Sequence, residues 1–437
     1  MTDLRALEGR LPTEGPEWLR DIRQQALARF QELGFPTARR GNEKWKYTNV
    51  GPIADAAFSY PTGAGPEVSL ADIRRVVPWD DRWASVVFVN GRYSAALSSL
   101  AGAADAARVT NLAEAVRADG DVIERHLARH VTFDEDGFTA LNTAFLGDGA
   151  FVHVPDGASP QSPLHLIFVT TDVEQPAVSY PRTLIVAGAN SELTVIESYV
   201  SLSTARYFTN AVTEIVVGDG ARIEHYKLLL ESEEAYHVAS SRVYQGPDSS
   251  FSSTLFAQGA AIARNDLQVL LDAPGSSCSL NGLYVTTGAQ HIDSYINIDH
   301  AKPHTTSRLY YRGILDGESK AVFGGTVFVR PGAEKADAHQ EDKNLILSEN
   351  AEVASKPSLE IYADDVKCGH GATAGMIAED AVFYMRSRGL DLETATALLI
   401  KGFAAGILDK IRVDRLRSFA ERLTAKALRG SRLGYGS

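Results

Sequence analysis

From Val152 to Leu359 the chain runs without a convincing helical pattern. It is built instead of short alternating segments such as RTLIVA, SELTVIESYV, TEIVVG, ARIEHYKLLL, SCSLNGLYV and KAVFGGTVFV. Alternation of this kind, rich in β-branched and aromatic residues, reads as half-buried strands. Turn cues punctuate it at Gly188-Ala189-Asn190, Gly218-Asp219-Gly220, Gly246-Pro247-Asp248, Pro274-Gly275, Asp316-Gly317 and Glu349-Asn350. Several of these lie roughly 28 to 30 residues apart, a period that suggests the coils of a solenoid. The lack of helices between strands argues against a βαβ sheet. A β-sandwich also gives many short strands. Recurring turn cues without compact hairpins favour a β-helix.

Both ends read differently. Residues 1–150 are mainly helical, with a short hairpin. Leu19, Ile22, Ala26, Leu27 and Phe30 predict a helix over Glu17–Leu33, stopped by Gly34 and followed by Pro36. Asn90-Gly91 within SVVFVNGRYS predicts the hairpin turn, and 111–130 returns to helix. The two aromatics in Glu43-Lys44-Trp45-Lys46-Tyr47-Thr48-Asn49 are expected to anchor a loop onto this N-terminal region, lysine stems covering the rings.

Residues 375–437 are helical again. Glu379 and Asp380 open a helix, Arg386 and Arg388 close it, and Gly389 ends it. Asp391 is the expected N-cap of the next helix. One stripe of that helix carries Ala395, Leu398, Leu399, Gly402, Phe403, Gly406 and Ile407, suited to the solenoid or to a partner helix. Val413, Leu416, Phe419, Ala420, Leu423 and Ala427 mark a third helix, and the RGSRLGYGS tail reads as disordered. The expected domains are therefore 1–150, 151–374 and 375–437.

A net charge of −12 argues against nucleic acid and anionic membranes as partners. Two cysteines in 437 residues make no disulfide framework and fit a reducing compartment. MTDLRALEGRLPTEGPEW lacks the apolar core of a signal peptide, and runs such as LHLIFV are too short to span a bilayer. A cytoplasmic location is expected.

The chemistry concentrates at Cys368-Gly369-His370. On an extended segment residues two apart point to one side, so thiol and imidazole face one target. Gly369 between them lets another backbone approach. Thiolate with imidazole suits zinc, copper or iron–sulfur chemistry, but such sites use about four ligands, and this stretch supplies half of them.

His126 and His130 share a helical spacing that suits a metal, yet no acidic or cysteine partner stands near, so two exposed histidines are expected. His153, His165, His225, His237, His291, His300, His304 and His339 are scattered and read as surface or hydrogen-bonded core histidines. Cys278 reads as a small buried apolar residue. The acidic pairs Glu341-Asp342 and Asp364-Asp365 read as solvated turn charges. No GxxxxGK[ST], GxGxxG after a strand, or GxSxG is present, so no nucleotide is expected on this chain.

NLILSENAEVASKPSLEIYADDVKCGHGATAG, FYMRSRGL and LLIKGFAAGIL, spanning Asn344 to Lys410, resemble the C-terminal region of the SufB/SufD family of iron–sulfur cluster assembly proteins. EKWKYTN resembles an N-terminal motif of the family's SufD branch. The resemblance implies a right-handed parallel β-helix core flanked by N-terminal and C-terminal helical domains. It implies a non-catalytic scaffold that pairs with a SufB-like subunit through the β-helix and carries a SufC-like ABC-type ATPase on the C-terminal helical domain. Iron and persulfide sulfur would be assembled there into a transient iron–sulfur cluster at the partner interface. Cys368 and His370 fall on the family's Cys-x-His positions, where the histidine is thought to face a SufB cysteine, while the role of His339 stays open. The competing readings are a β-helix enzyme acting on polysaccharide, and a homodimer without a metal role.

Overall fold

A computed structural model describes residues 15–39, 42–60, 67–103, 106–172 and 176–429. Of the RGSRLGYGS tail expected to be disordered, Arg429 instead closes the last helix, while residues 430–437, like residues 1–14 of the segment tested for a signal peptide, lie outside the described residues.

From Glu192 the chain alternates between two facing sheets. One holds Glu192–Ser201, Arg222–Leu230, Ser250–Ala257, Ser277–Thr286, Thr306–Leu315, Asp337–Ile346 and Lys367–Gly375. The other holds Phe208–Val217, Tyr236–Gln245, Ile262–Leu271, His291–His300, Lys320–Val329 and Glu352–Ile361. All these pairings are parallel and stay in register, so Glu192, Arg222, Ser250, Ser277, Thr306, Asp337 and Lys367 stack one upon another. The fold is a β-solenoid flanked by helices at both ends. Parallel neighbours cannot be joined by a hairpin; each coil instead crosses to the other sheet and back, hence the recurring turns.

The sheets begin before the turn cues do. Ala84–Val89, in a hairpin with Arg92–Tyr93 about Asn90-Gly91, lies parallel to Leu164–Thr170. Arg108–Asn111 runs antiparallel to Ala150–Val154, which lies parallel to Arg182–Ala187.

Alternate residues fill the lumen, among them Val195, Ile223, Phe251, Leu280, Leu309 and Phe323. Two tyrosines fit only because glycine faces each across the ladder. Gly282 pairs with Tyr311 and Gly313 with Tyr284. A Cβ at either glycine would fall within 2.3 Å of the opposite ring.

The first helix spans Glu17–Leu33 as its periodicity predicts, burying Leu19, Ala26, Leu27 and Phe30. It ends where Gly34, at φ 62°, donates its N–H to the Phe30 carbonyl. The helix expected over 111–130 is instead two, Leu112–Ala118 and Gly120–His126, broken where Asp119 departs from helical geometry.

Trp45 does anchor its loop, but on the solenoid rather than on the N-terminal region alone. Its ring lies 3.9 Å from the Arg264 guanidinium, which also faces Tyr295. Lys44 pairs with Asp136 at 3.0 Å and Asp266 at 2.7 Å, and Thr48 bonds Asp293 and His291. The lysine acts through its charge more than its stem.

The C-terminal helices Glu379–Ser387, Leu392–Leu408 and Asp414–Arg429 follow the last coil. Asp391 caps the second by accepting the Thr394 N–H at 2.7 Å. Its buried residues are Ala395, Thr396, Ile400, Ala404, Ile407 and Leu408, packed with Leu228, Phe256, Leu283 and Ile314 on the outside of the first sheet. The stripe is therefore rotated from the expected one, with Leu398 and Gly402 exposed. Arg312 fixes this docking by donating to the Phe403 carbonyl and facing its ring. Among the described residues no helix is long and apolar enough to cross a membrane.

Candidate functional site

Lys367–Gly375 is the terminal strand of its sheet, paired on one side only, with Asp337–Ile346. Glu352–Ile361 ends the other sheet in the same way. The solenoid thus finishes in an open mouth rimmed by two unpaired strand edges.

Register decides what faces that mouth. Cys368 lies beside Ala338 and His370 beside Gln340. Ala338 and Gln340 point inward and are buried, so Cys368 and His370 share the inward parity. One coil earlier they would lie in the core. On the last coil Cys368 is half-buried against core residues, and His370 is exposed. The geometry joins the two donors on one face, as the Cys-x-His spacing predicts. Burial pushes the Cys368 thiol above its ordinary value, opposed by a backbone N–H contact from Ala338. A metal or a cationic partner would draw out the thiolate.

Gly369 points outward, and a Cβ there would sit 3.4 Å from His339 Nδ1. The approach it permits is by this neighbouring ring. His339 lies 3.3 Å from the Asp337 carboxylate on the outer face, away from Cys368 and His370.

Behind the mouth lies a polar layer that sequence reasoning missed. Gln340 Nε2 donates to the Ser358 carbonyl at 3.0 Å and lies 3.4 Å from His370 Nδ1. Asp342 Oδ2 accepts from Asn344 Nδ2 at 2.7 Å and from Ser355 Oγ at 2.6 Å. Tyr284 O–H donates to Asn344. Burial pushes the Asp342 carboxyl up to about 6, although its two donors favour the charged form.

Glu341 and Asp342 are thus not a pair of solvated turn charges. They sit on a strand, where Glu341 points out to Lys343 at 2.9 Å and Asp342 points into the lumen. The available signal was parity, since Ala338, Gln340, Asp342 and Asn344 alternate along one strand. Asp364 and Asp365 are exposed turn residues, as expected, and Asp365 pairs with Lys335.

Of the remaining histidines, His165, His225, His237 and His300 lie in the core while His304 and His339 are exposed, both within the surface or core settings expected. His300 bonds Thr305 and Ser307, both at 2.8 Å, and His165 bonds Ser198 at 2.7 Å. His225 and His237 point into the lumen toward Glu197 and Glu231. His126 and His130 are half-buried rather than exposed, with Nδ1 and Nε2 3.2 Å apart. Cys278 is buried, and its thiol is pushed up to about 12.

Among the described residues no three His, Cys, Asp or Glu side chains stand close enough to hold a metal ion. Cys368 and His370 stand together as two donor side chains on one face. Exposed apolar residues flank their strand along the chain: Ile361 and Tyr362 before it, Met376 after it, and Phe383, 74% exposed, with Tyr384 on Glu379–Ser387. That helix buries only Val382.

Comparison with known proteins bears on this arrangement. Residues 168–403 match the family described as SUF system FeS cluster assembly, SufBD core domain, and residues 8–166 match the SufBD protein N-terminal region. An iron-sulfur cluster assembly SufBD family protein of Synechocystis is 32% identical, over 95% of this chain and 93% of its own. Iron-sulfur cluster assembly protein SufD of Escherichia coli is 31% identical over 90% of this chain and 89% of its own. That of Bacillus subtilis is 26% identical over 92% of each.

Proposed function

This chain belongs to the SufBD family of iron–sulfur cluster assembly proteins, and from that premise we propose that it is a non-catalytic scaffold subunit whose open solenoid mouth supplies half of a cluster-building site. The observation that carries this reading is the placement of Cys368 and His370. Two soft or borderline donors stand together at an open end and lack the further ligands that iron–sulfur chemistry needs. The cluster is cargo, built and passed on.

The other ligands come, on this reading, from a SufB-like β-helix subunit. The unpaired edge of Lys367–Gly375 is a template for strand pairing with a second sheet, whereas Glu352–Ile361 carries Lys356 and Pro357. Natural edge strands are usually blunted by charge, proline or a cover. Here Gly369, Gly371, Ala372, Ala374 and Gly375 leave the strand edge sterically open. Phe383 and Tyr384 support docking of a SufC-like ATPase on the C-terminal helices, since exposed aromatics mark interaction sites.

Co-expression with a SufB-like subunit and a SufC-like ATPase tests the assembly. A complex of all three is expected, and Phe383→Asp/Tyr384→Asp is expected to lose the ATPase while keeping the β-helix partner. Recovery of this chain only as a homodimer, or retention of the ATPase by the double variant, contradicts the reading.

A further inference from the structure

His370 has Gln340 as its polar neighbour, and the orientation of that amide is fixed from behind. The Gln340 side chain is buried. Its end lies 3.0 Å from the Ser358 carbonyl oxygen and 3.4 Å from His370 Nδ1. A carbonyl only accepts, so the atom facing Ser358 is the NH2 group. One of its hydrogens goes to Ser358, which leaves the other for Nδ1. Oε1 then points away, 2.7 Å from where a Cβ on Gly325 would sit, and finds no donor there. Turning the amide over would set two carbonyl oxygens against each other and strand the NH2 group among apolar neighbours. An Nδ1 that accepts carries no hydrogen, so in the neutral ring the hydrogen is on Nε2.

We infer that Gln340 is a positioning residue that holds His370 in its Nε2–H tautomer, so that the ring offers the mouth an N–H donor and not a lone pair. The inference rests on the proposed reading of His370 as a cluster-facing group. In this state His370 donates to sulfur, either the sulfide of a nascent cluster or a partner's thiolate, and anionic sulfur strengthens that bond. Direct ligation of iron through Nε2 requires the hydrogen to move to Nδ1 and the Gln340 amide to turn and leave Ser358. Gln340 therefore biases His370 toward contact with sulfur and makes iron ligation through Nε2 the costlier alternative.

The test is a long-range proton–nitrogen correlation spectrum of the full apo chain with nitrogen-15 histidine. His370 is assigned by its loss in His370→Ala. The wild type is expected to favour Nε2–H over Nδ1–H about fivefold more strongly than a free imidazole does, the bias of one net hydrogen bond. Gln340→Glu, which presents an acceptor to Nδ1, is expected to reverse that preference. Gln340→Leu is expected to relax it toward the ratio of a free imidazole. A wild-type ring protonated at Nδ1, or tautomer ratios unmoved in both variants, overturns the inference. These spectra need neither iron nor partner. Iron and sulfide loading of His370→Ala decides the scaffold reading separately, so either can fail alone.

Discussion

Glu214 is a point where the helical N-terminal segments are tied to the solenoid, and its removal should be among the most damaging single changes. It projects from Phe208–Val217 to Arg182 Nη2 at 2.5 Å, and both side chains are fully buried. Its two oxygens also accept the backbone N–H groups of Ala128, Arg129, His130 and Val131 at 2.8 to 3.2 Å. Arg182 in turn donates to Asn142 and Thr143. Burial alone would raise the Glu214 carboxyl; the Arg182 guanidinium and the backbone donors outweigh it and hold the group below the usual carboxylate value.

Glu214→Ala leaves a buried guanidinium without its carboxylate and four N–H groups without an acceptor. Breaking one side of a buried pair costs about 3–5 kcal/mol, a large part of a typical stability of about 5–15 kcal/mol. Orphaned N–H groups enlarge that cost unless water reaches them. Urea unfolding of the isolated chain measures it, with Glu214→Leu, Arg182→Met and Arg182→Met/Glu214→Leu forming a double-mutant cycle. The double variant should recover much of the loss, because no unpaired charge remains buried. Because the carboxyl lies below its unfolded value, its contribution is present above the unfolded carboxylate range and fades as pH falls through it. A cost of Glu214→Ala below about 1 kcal/mol, or strictly additive single variants, would refute this account of how the N-terminal segments are held.

Asp342 predicts the opposite pH dependence. Its folded-state carboxyl sits near 6, so its charge opposes folding above that pH and the cost is relieved as pH falls toward 4. Asp342→Asn should stabilise the chain by roughly 2–3 kcal/mol at pH 8, and unfolding curves from pH 8 to pH 5 should show the gain shrinking. Trp45→Ala removes a buried ring stacked on Arg264 and should cost about 3–5 kcal/mol. It should also expose the Lys44 loop to limited proteolysis before the solenoid itself is cut.

The solenoid was legible because its turns are written in Gly, Asn, Asp and Pro while its strands alternate. Cys368 and His370 were legible as a pair because a spacing of two fixes their common side on any strand. What escaped was what lies on the inner side of each strand. Asp342 looks like one of two adjacent charges until the register with Cys368 and His370 shows that it faces the lumen. Glu197, His225, Lys227 and His237 were hidden for the same reason, being buried polar residues on strands whose partners lie a coil away. Arg182 and Glu214 are 32 residues apart, and only the stacking of coils brings them together. The EKWKYTN segment was read as an anchor, but its counterpart Arg264 lies in the solenoid and nothing local points to it. The helical stripe of 392–408 was misplaced because Leu398 and Gly402 fit the periodicity, whereas docking through Arg312 rotates the helix away from them.

The central claim is that this chain contributes His370, with Cys368, to a cluster site completed by a partner. The most direct measurement is anaerobic analysis of iron and acid-labile sulfide on the complex co-expressed with its SufB-like and SufC-like partners, comparing wild type with His370→Ala. The account predicts loss of both iron and sulfide in the variant, with unchanged folding and complex formation. Wild-type loading of iron and sulfide on an intact His370→Ala complex would contradict it.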